Sequence, residues 1–225
     1  TIQNEPAFHQ ALVQSIHAAA EGGIVILGVT PTAPEVGYGY IQQTGPAGAF
    51  GQFKVAQFAE KPNLETAKAY LKDGQFSWNS GMFVLRASTW LKAAQHFCPE
   101  LMQATQTSWR DKSTDSSFVR PNKEAFLNIA AESIDYAVME KCPNSSFPVH
   151  VVPLDAGWSD LGAWEAVWQV SAQDEKGNVT QGDVLVDGAS NTFVHASYRL
   201  VGVVGVDNLI VVETADAVLV ADKTK

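Results

Sequence analysis

The chain has 225 residues, of which 46% are hydrophobic and 17% are charged. This composition is typical of a folded globular protein and excludes a disordered one. The net charge of -9 argues against nucleic acid or an anionic membrane as a partner, because both bind basic surfaces.

Three features of the sequence favour a cytoplasmic protein. No apolar run approaches the ~20 residues that span a bilayer. The residues from Thr1 onward carry neither the basic nor the apolar region of a signal peptide. Cys98 and Cys142 lie far apart and lack the spacing of a metal site, so we expect two reduced, buried thiols.

The first elements predict a sheet covered by helices. Asn4 suits the start of a helix whose apolar side chains recur at helical spacing and which ends near Gly22. That apolar stripe consists of Phe8, Leu12, Ile16 and Ala19. Residues 24–28 follow as a continuously apolar strand. A helix leading into such a strand is typical of a buried parallel sheet in an α/β protein.

The segment Glu60-Lys61-Pro62 is the strongest candidate for ligand binding. It ends a predicted strand that begins at Val55, because Pro62 cannot donate to a sheet and holds Lys61 in an extended conformation. Lys61 suits a phosphate group and Glu60 suits the hydroxyl donors of a sugar, although a solvated surface pair is the alternative. Because neighbouring side chains in a strand face opposite ways, both reach one ligand only if the strand ends or twists there.

Two further segments combine glycine with aromatic and polar residues. In Gly37-Tyr38-Gly39, the glycines either let the backbone approach a ligand or form a plain turn. In Trp78-Asn79-Ser80-Gly81, which is predicted to lead into a short strand over residues 82–85, Asn79 can bond to sugar hydroxyls or cap a turn through its own backbone. Between the two segments, Asn63 and Gly74 suit the ends of a helix.

Two acidic residues lie at predicted helix starts. Asp135 is either a functional carboxylate or a first-turn acid stabilised by the helix dipole. Asp160 follows a strand predicted over residues 147–154, where it suits a Mg²⁺ ligand and equally an N-cap. Residues 99–131 are predicted to be helical around a mobile polar loop at residues 111–117.

The pattern changes after about residue 172. A polar connector is followed by short β-branched runs between Gly, Asp and Asn residues, which predict a small all-β, β-helix-like domain. The predicted domains are an α/β domain over residues 1–172 and a β-rich domain over residues 173–225.

The motifs and their order closely resemble the mannose-1-phosphate guanylyltransferases (GDP-mannose pyrophosphorylases), in particular the bacterial type fused to a phosphomannose isomerase. The resemblance covers essentially the whole chain and rests on the three segments above, on residues 132–140, and on Gly157-Trp158-Ser159-Asp160-Leu161-Gly162. It implies the Rossmann-like sheet of the nucleotide-diphospho-sugar transferases, incomplete at its N-terminal side, followed by the β-helix-like tail.

The resemblance also implies a reaction and roles for residues. The reaction joins mannose 1-phosphate to GTP and releases diphosphate, giving GDP-mannose. Lys61 and Asp160 are expected to be catalytic, with Asp160 also a ligand of Mg²⁺. The expected substrate-binding residues are Gly37, Tyr38, Gly39, Glu60, Lys61, Asn79, Ser80 and Asp135.

The sequence is expected to depart from this family at both ends, since it stops before the isomerase domain and also lacks the N-terminal nucleotide-binding part. The family's Gly-rich, Arg-containing loop and its first metal-binding aspartate have no counterpart here, so GTP is expected to bind only if that part is supplied. We therefore expect the chain alone to be inactive, with a non-catalytic sugar-phosphate-binding or oligomerisation module as the alternative. The exposed sheet edge that such a loss implies also predicts a homo-oligomer.

Overall fold

The computed structural model describes residues 1–224, which divide into two compact units. The first unit comprises residues 2–158, and the second comprises Thr1 together with the residues from Ser159 onward. The domain boundary expected near residue 172 stays a prediction.

The helices of the first unit begin and end largely at the predicted caps. The side chains of Asn4 and Asn63 accept hydrogen bonds from the first turns that follow them, and Gly74 ends α2 in the left-handed conformation. Ile16, which was placed on the apolar stripe of α1, is exposed, and the buried face is centred instead on small residues such as Ala11 and Ser15. The helices are α1 (Glu5–Ala20), α2 (Leu64–Asp73), α3 (Ala87–Phe97), α4 (Pro99–Arg110), α5 (Lys123–Leu127) and α6 (Ile134–Ala137), with a 3-10 helix at Met139–Lys141.

Five strands of the first unit close into a ring in the order β1-β4-β2-β3-β7. Only the pairing of β1 with β7 is parallel, so the expected parallel sheet is wrong for the other four pairs. In the described part of the chain each of these five strands has a neighbour on both sides, so the expected exposed edge is absent here. The homo-oligomer stays a prediction. The strands are β1 (Ile24–Val29), β2 (Tyr40–Thr44), β3 (Phe53–Ala59), β4 (Phe76–Val84) and β7 (Val149–Leu154).

The apolar run of β1 is explained by burial on both faces. Ile24 and Ile26 pack in one core cluster with Met139, whereas Val25 and Leu27 pack in another with the small residues of α1. Continuous apolar sequence therefore reports burial on both sides and not strand direction.

The predicted mobile loop at residues 111–117 is a β-hairpin. Its strands are β5 (Ser113–Asp115) and β6 (Phe118–Arg120), which pair antiparallel. Ser116, between them, adopts a positive φ of 52°. The polar composition therefore marked a tight turn and not an unstructured loop.

Up to residue 224, the second unit has one helix and a four-stranded sheet in the order β11-β10-β9-β8. The pairs β8–β9 and β9–β10 are parallel, as in successive coils of a β-helix, and β11 is antiparallel to β10. The core includes Val179, Phe193 and Ile210. The elements are α7 (Trp164–Val170), β8 (Val179–Asp187), β9 (Phe193–Val204), β10 (Leu209–Glu213) and β11 (Val218–Asp222).

The two cysteines are free thiols, as expected, but only Cys142 is fully buried and Cys98 is half-buried. Burial raises the pKa of Cys142 to about 11. Within residues 1–224 there is no helix with the length and apolar character needed to span a membrane.

Candidate functional site

β3 ends before Glu60, earlier than the sequence predicted, and Lys61 does not have the extended conformation that we expected ahead of Pro62. β3 stops at Ala59, and Lys61 adopts a positive φ of 47°. This turn of the backbone brings Lys61 Nζ to 3.6 Å from Glu60 Oε1. The two side chains therefore converge, although they are adjacent in sequence.

Gly39 is buried immediately before β2 and lies against Glu60, which follows β3, and Asn79, which belongs to β4. Its carbonyl oxygen accepts a hydrogen bond of 2.7 Å from the Asn79 N–H. A Cβ at this position would lie 2.5 Å from Glu60 Oε2 and 3.1 Å from Asn79 Cβ. The absence of a side chain at Gly39 therefore leaves the room that Glu60 and Asn79 occupy.

Asn79 lies within strand β4, whereas the sequence predicted a loop ahead of a shorter strand. Its Oδ1 accepts a hydrogen bond of 2.9 Å from the Gly81 N–H, so it does cap a turn in its own backbone. Its Nδ2 donates to Asp135 Oδ1 at 3.3 Å. One Nδ2 hydrogen is not used by these two bonds, and it can donate to a ligand.

Asp135 lies in the first turn of α6, and it accepts hydrogen bonds that an acid stabilised by the helix dipole alone would not make. Besides Asn79, it accepts a hydrogen bond of 2.8 Å from Ser133 Oγ through Oδ2. Because α6 has only four residues, its dipole is small. We call Gly39, Glu60, Lys61, Asn79 and Asp135 the β3-end cluster.

The electrostatics of the β3-end cluster centre on Glu60. The Glu60 side chain is 9% exposed, whereas that of Lys61 is 57% exposed. Burial raises the pKa of Glu60, the Asp135 carboxylate raises it further, and Lys61 opposes both effects. Glu60 Oε2 is buried and has no hydrogen-bond partner among the described residues. A buried carboxylate oxygen without a donor requires an explanation, and a hydroxyl donor of a ligand supplies one.

Three other expected site residues have different surroundings. Gly37 is exposed, and a Cβ there would meet no atom within 4 Å. The Tyr38 ring packs edge-on against Trp78 and Trp158, with ring centroids 5.2 and 5.6 Å apart. Ser80 Oγ donates a hydrogen bond of 2.6 Å to the Leu27 carbonyl oxygen. Their roles in binding stay predictions.

Sequence reasoning missed one residue of this site, Glu140. Its Oε1 accepts a hydrogen bond of 2.8 Å from the Glu60 N–H. Glu140 lies in one of the segments that carried the family resemblance, but nothing in its sequence neighbourhood indicated a contact across 80 positions.

Comparison with known proteins assigns this chain to a family. Residues 1–177 match the family described as Nucleotidyl transferase, and residues 182–225 match the MannoseP isomerase/GMP-like beta-helix domain. The chain belongs to the nucleotidyl transferase family. The β-helix match agrees with the parallel pairing of β8, β9 and β10.

The curated relatives extend well beyond this chain. It is 44% identical to a mannose-1-phosphate guanylyltransferase of Escherichia coli K12 over 99% of its own length and 46% of the relative. It is 45% identical to the xanthan biosynthesis protein XanB of Xanthomonas campestris pv. campestris, over 100% of its length and 46% of that protein. The chain thus spans about half the length of these relatives.

Solved structures support the same fold. A mannose-1-phosphate geranyltransferase from Thermus thermophilus is 31% identical, with a TM-score of 0.84 over 100% of this chain and 63% of that one. A mannose-6-phosphate isomerase from Helicobacter pylori is 29% identical, with a TM-score of 0.63 over 71% of this chain and 60% of that one. Both are therefore similar to this chain in fold, the first over the whole length of this chain.

Nucleotidyl transferases generally use a divalent metal ion, for which Asp160 was the expected ligand. Asp160 is not the N-cap of α7, because that position is Ala163. Its Oδ1 accepts a hydrogen bond of 3.1 Å from the Gly162 N–H. Within residues 1–224 no three His, Cys, Asp or Glu side chains are grouped to hold a metal, so Asp160 fits only as one of the few protein ligands that Mg²⁺ needs beside phosphate oxygens.

Proposed function

We propose that the β3-end cluster binds mannose 1-phosphate. We further propose that the chain takes part in the reaction that joins this sugar phosphate to GTP and releases diphosphate. The observation that carries the proposal is the convergence of a lysine, an asparagine and a buried, unpartnered Glu60 oxygen around Gly39. The relatives named mannose-1-phosphate guanylyltransferase support the choice of substrates, and the xanthan protein supports a role in supplying polysaccharide synthesis.

Each residue of the cluster has a role in this proposal. The exposed Lys61 ammonium neutralises the phosphate of the sugar. Glu60 Oε2 accepts a hydrogen bond from a mannose hydroxyl, which satisfies the buried oxygen. Asn79 donates its remaining Nδ2 hydrogen to a second hydroxyl, and Asp135 holds the Asn79 amide in place.

The reaction needs alignment more than covalent help from the protein. A phosphate oxygen of mannose 1-phosphate forms a bond to the α-phosphorus of GTP, and the bond from that phosphorus to the leaving diphosphate breaks. Lys61 contributes by fixing the attacking phosphate. In the second unit we assign Asp160 as one ligand of Mg²⁺, which would supply positive charge when bound.

A second function competes with catalysis. The relatives named mannose-1-phosphate guanylyltransferase favour catalysis, whereas the β3-end cluster by itself supports only the binding of a sugar phosphate. The two functions differ in a single property, the affinity of the chain for GTP.

Isothermal titration calorimetry on residues 1–225 tests both functions. We expect mannose 1-phosphate to bind, and Lys61→Met to weaken it, whereas Lys68→Met leaves it unchanged because Lys68 pairs with Glu65 on exposed α2. GTP binding in the presence of Mg²⁺ would favour the catalytic function and its absence the binding module. No heat from mannose 1-phosphate with a chain that is folded by circular dichroism would contradict the proposal.

A further inference from the structure

We infer that Glu140 is a positioning residue for the sugar phosphate, acting through the backbone of Glu60. The inference rests on the proposed function of the β3-end cluster. It assigns to Glu140 the task of holding the turn in which Glu60 and Lys61 face the same ligand.

The turn after β3 needs a restraint. Lys61 adopts a φ of 47°, a conformation that non-glycine residues adopt uncommonly and at a cost. In an extended continuation of β3, the side chains of Glu60 and Lys61 would point to opposite faces. The Glu60 N–H, immediately before the turn, donates to Glu140 Oε1 at 2.8 Å. A carboxylate acceptor makes this bond stronger than one to a neutral oxygen.

Glu140 projects from a rigid part of the core. It belongs to the 3-10 helix Met139–Lys141, whose neighbouring side chains Val138, Met139 and Cys142 are 0–1% exposed. These three side chains pack in the same core cluster as Val55 and Phe58 of β3. The core packing thus holds the backbone that carries the exposed Glu140 side chain, and the hydrogen bond to the Glu60 amide orients its carboxylate.

A second tie joins the same region to β3. Asn144 Nδ2 donates a hydrogen bond of 3.4 Å to the Ala56 carbonyl oxygen. The segment that carries Glu140 is therefore fixed to β3 by a polar contact as well as by the apolar core.

If Glu140 acted only through its charge, its removal would change the affinity for the sugar phosphate in the direction opposite to that expected of a positioning residue. A carboxylate beside Glu60 and Asp135 repels a phosphate group, so a purely electrostatic role predicts that removing the charge tightens binding. A positioning role predicts that removing the acceptor weakens binding even though the charge disappears. Alanine and glutamine at this position separate the two roles, since glutamine keeps an acceptor oxygen without the charge.

The experiment compares Glu140→Ala and Glu140→Gln with the wild type by titration of mannose 1-phosphate. Glu132→Ala is the matched control, because it removes one exposed carboxylate from the neighbouring loop. Hydrogen exchange of the Glu60 amide, followed by NMR, reports the hydrogen bond itself. We expect Glu140→Ala to raise Kd about tenfold or more and to speed exchange at Glu60. We expect Glu140→Gln to stay within about threefold of the wild type in both measurements, and Glu132→Ala to change neither.

Each other outcome has a distinct meaning. Equal and tighter binding by Glu140→Ala and Glu140→Gln would overturn the positioning role in favour of charge alone. Unchanged exchange at Glu60 in Glu140→Ala would overturn the hydrogen bond and with it the inference. If the wild type failed to bind mannose 1-phosphate, the proposed function would fall together with the inference, whereas normal wild-type binding with an unaffected Glu140→Ala would refute the inference alone.

Discussion

Gly39→Ala is the substitution that most sharply separates binding from folding. The added Cβ would lie 2.5 Å from Glu60 Oε2, 3.1 Å from Asn79 Cβ and 3.4 Å from Asn79 Nδ2. Gly39 does not adopt a positive φ, so alanine brings no backbone strain at this position. The perturbation is therefore confined to the two side chains that we propose as sugar ligands.

The distances set the expected magnitudes. Glu60 Oε2 is the end of a flexible side chain and can rotate away, whereas Asn79 Cβ must give by a few tenths of an ångström. We expect a cost to the free energy of unfolding of about 1 kcal/mol, the lower limit for overpacking. Binding loses more, because both ligand groups leave their positions, and losing one hydrogen bond to a charged group costs about 1.5–3 kcal/mol, or roughly 10- to 100-fold in Kd.

The assay is calorimetric titration of mannose 1-phosphate, with thermal unfolding measured on the same samples. Gly202→Ala is the matched control, since it makes the same change at an exposed position outside the cluster, where a Cβ would meet no atom within 4 Å. We expect weakened binding for Gly39→Ala only, with similar melting temperatures for both variants. Equal affinities for the two variants would refute the argument that Gly39 makes room for ligand-binding side chains.

Three further predictions concern charge, pH and the second unit. Lys61→Met should weaken mannose 1-phosphate binding roughly 10- to 100-fold by calorimetry, since it removes the cation that faces the phosphate, and a Kd equal to that of Lys68→Met would contradict this role. Because burial and Asp135 raise the pKa of Glu60 above 4.5, the folded state keeps a proton that the unfolded state loses near pH 4.5. The free energy of unfolding therefore falls as the pH rises from 4.5 through the pKa of Glu60 in the folded chain. Glu60→Gln should therefore gain free energy of unfolding relative to the wild type as the pH rises above 4.5 in urea titrations, and a relative loss would show that the carboxylate is favoured in the folded state. Gly182→Ala should destabilise the chain by about 2–4 kcal/mol, because the residue has a φ of 89° and its Cβ would overlap the Ala196 carbonyl oxygen. Gly205→Ala, with a φ of 64° and open space around it, should cost only about 1 kcal/mol in the same urea titration, and equal losses would rule out the backbone overlap.

Local chemistry made several elements predictable. Asn4, Asn63 and Gly74 have the side-chain or backbone properties that helix ends require, and each lies at a helix end in the structure. Pro62, which cannot donate to a sheet, predicted that β3 ends nearby, although the strand stops at Ala59 and Lys61 is not extended. Such features depend on a few neighbouring residues and are visible in the sequence.

Features that depend on distant residues were not predictable. The direction of β1 relative to β4 depends on the path of the chain and not on the apolar character of residues 24–28. Asn79 belongs to a strand because β4 pairs with β1 and β2 in this region, although its neighbours Ser80 and Gly81 resemble a turn. The contact of Glu140 with Glu60 likewise forms only once the core has packed.

The candidate site likewise combines features that are visible in the local sequence with features that depend on distant residues. The chemical character of Lys61, Glu60 and Asn79 was readable from their types and neighbours. Their convergence required the positive φ of Lys61 and the absence of a side chain at Gly39, which are three-dimensional facts. The unpartnered Glu60 oxygen, on which the proposed function depends, is likewise a property of packing alone.

The most direct test of the account is to map mannose 1-phosphate onto the chain by amide chemical shifts. NMR spectra of the labelled chain would be recorded as the sugar phosphate is added, with mannose as a second ligand that lacks the phosphate. We predict saturable shifts at the amides of Gly39, Lys61 and Asn79, with Lys61 responding more to mannose 1-phosphate than to mannose. Saturable shifts elsewhere in the chain with these three amides unmoved would contradict the central claim.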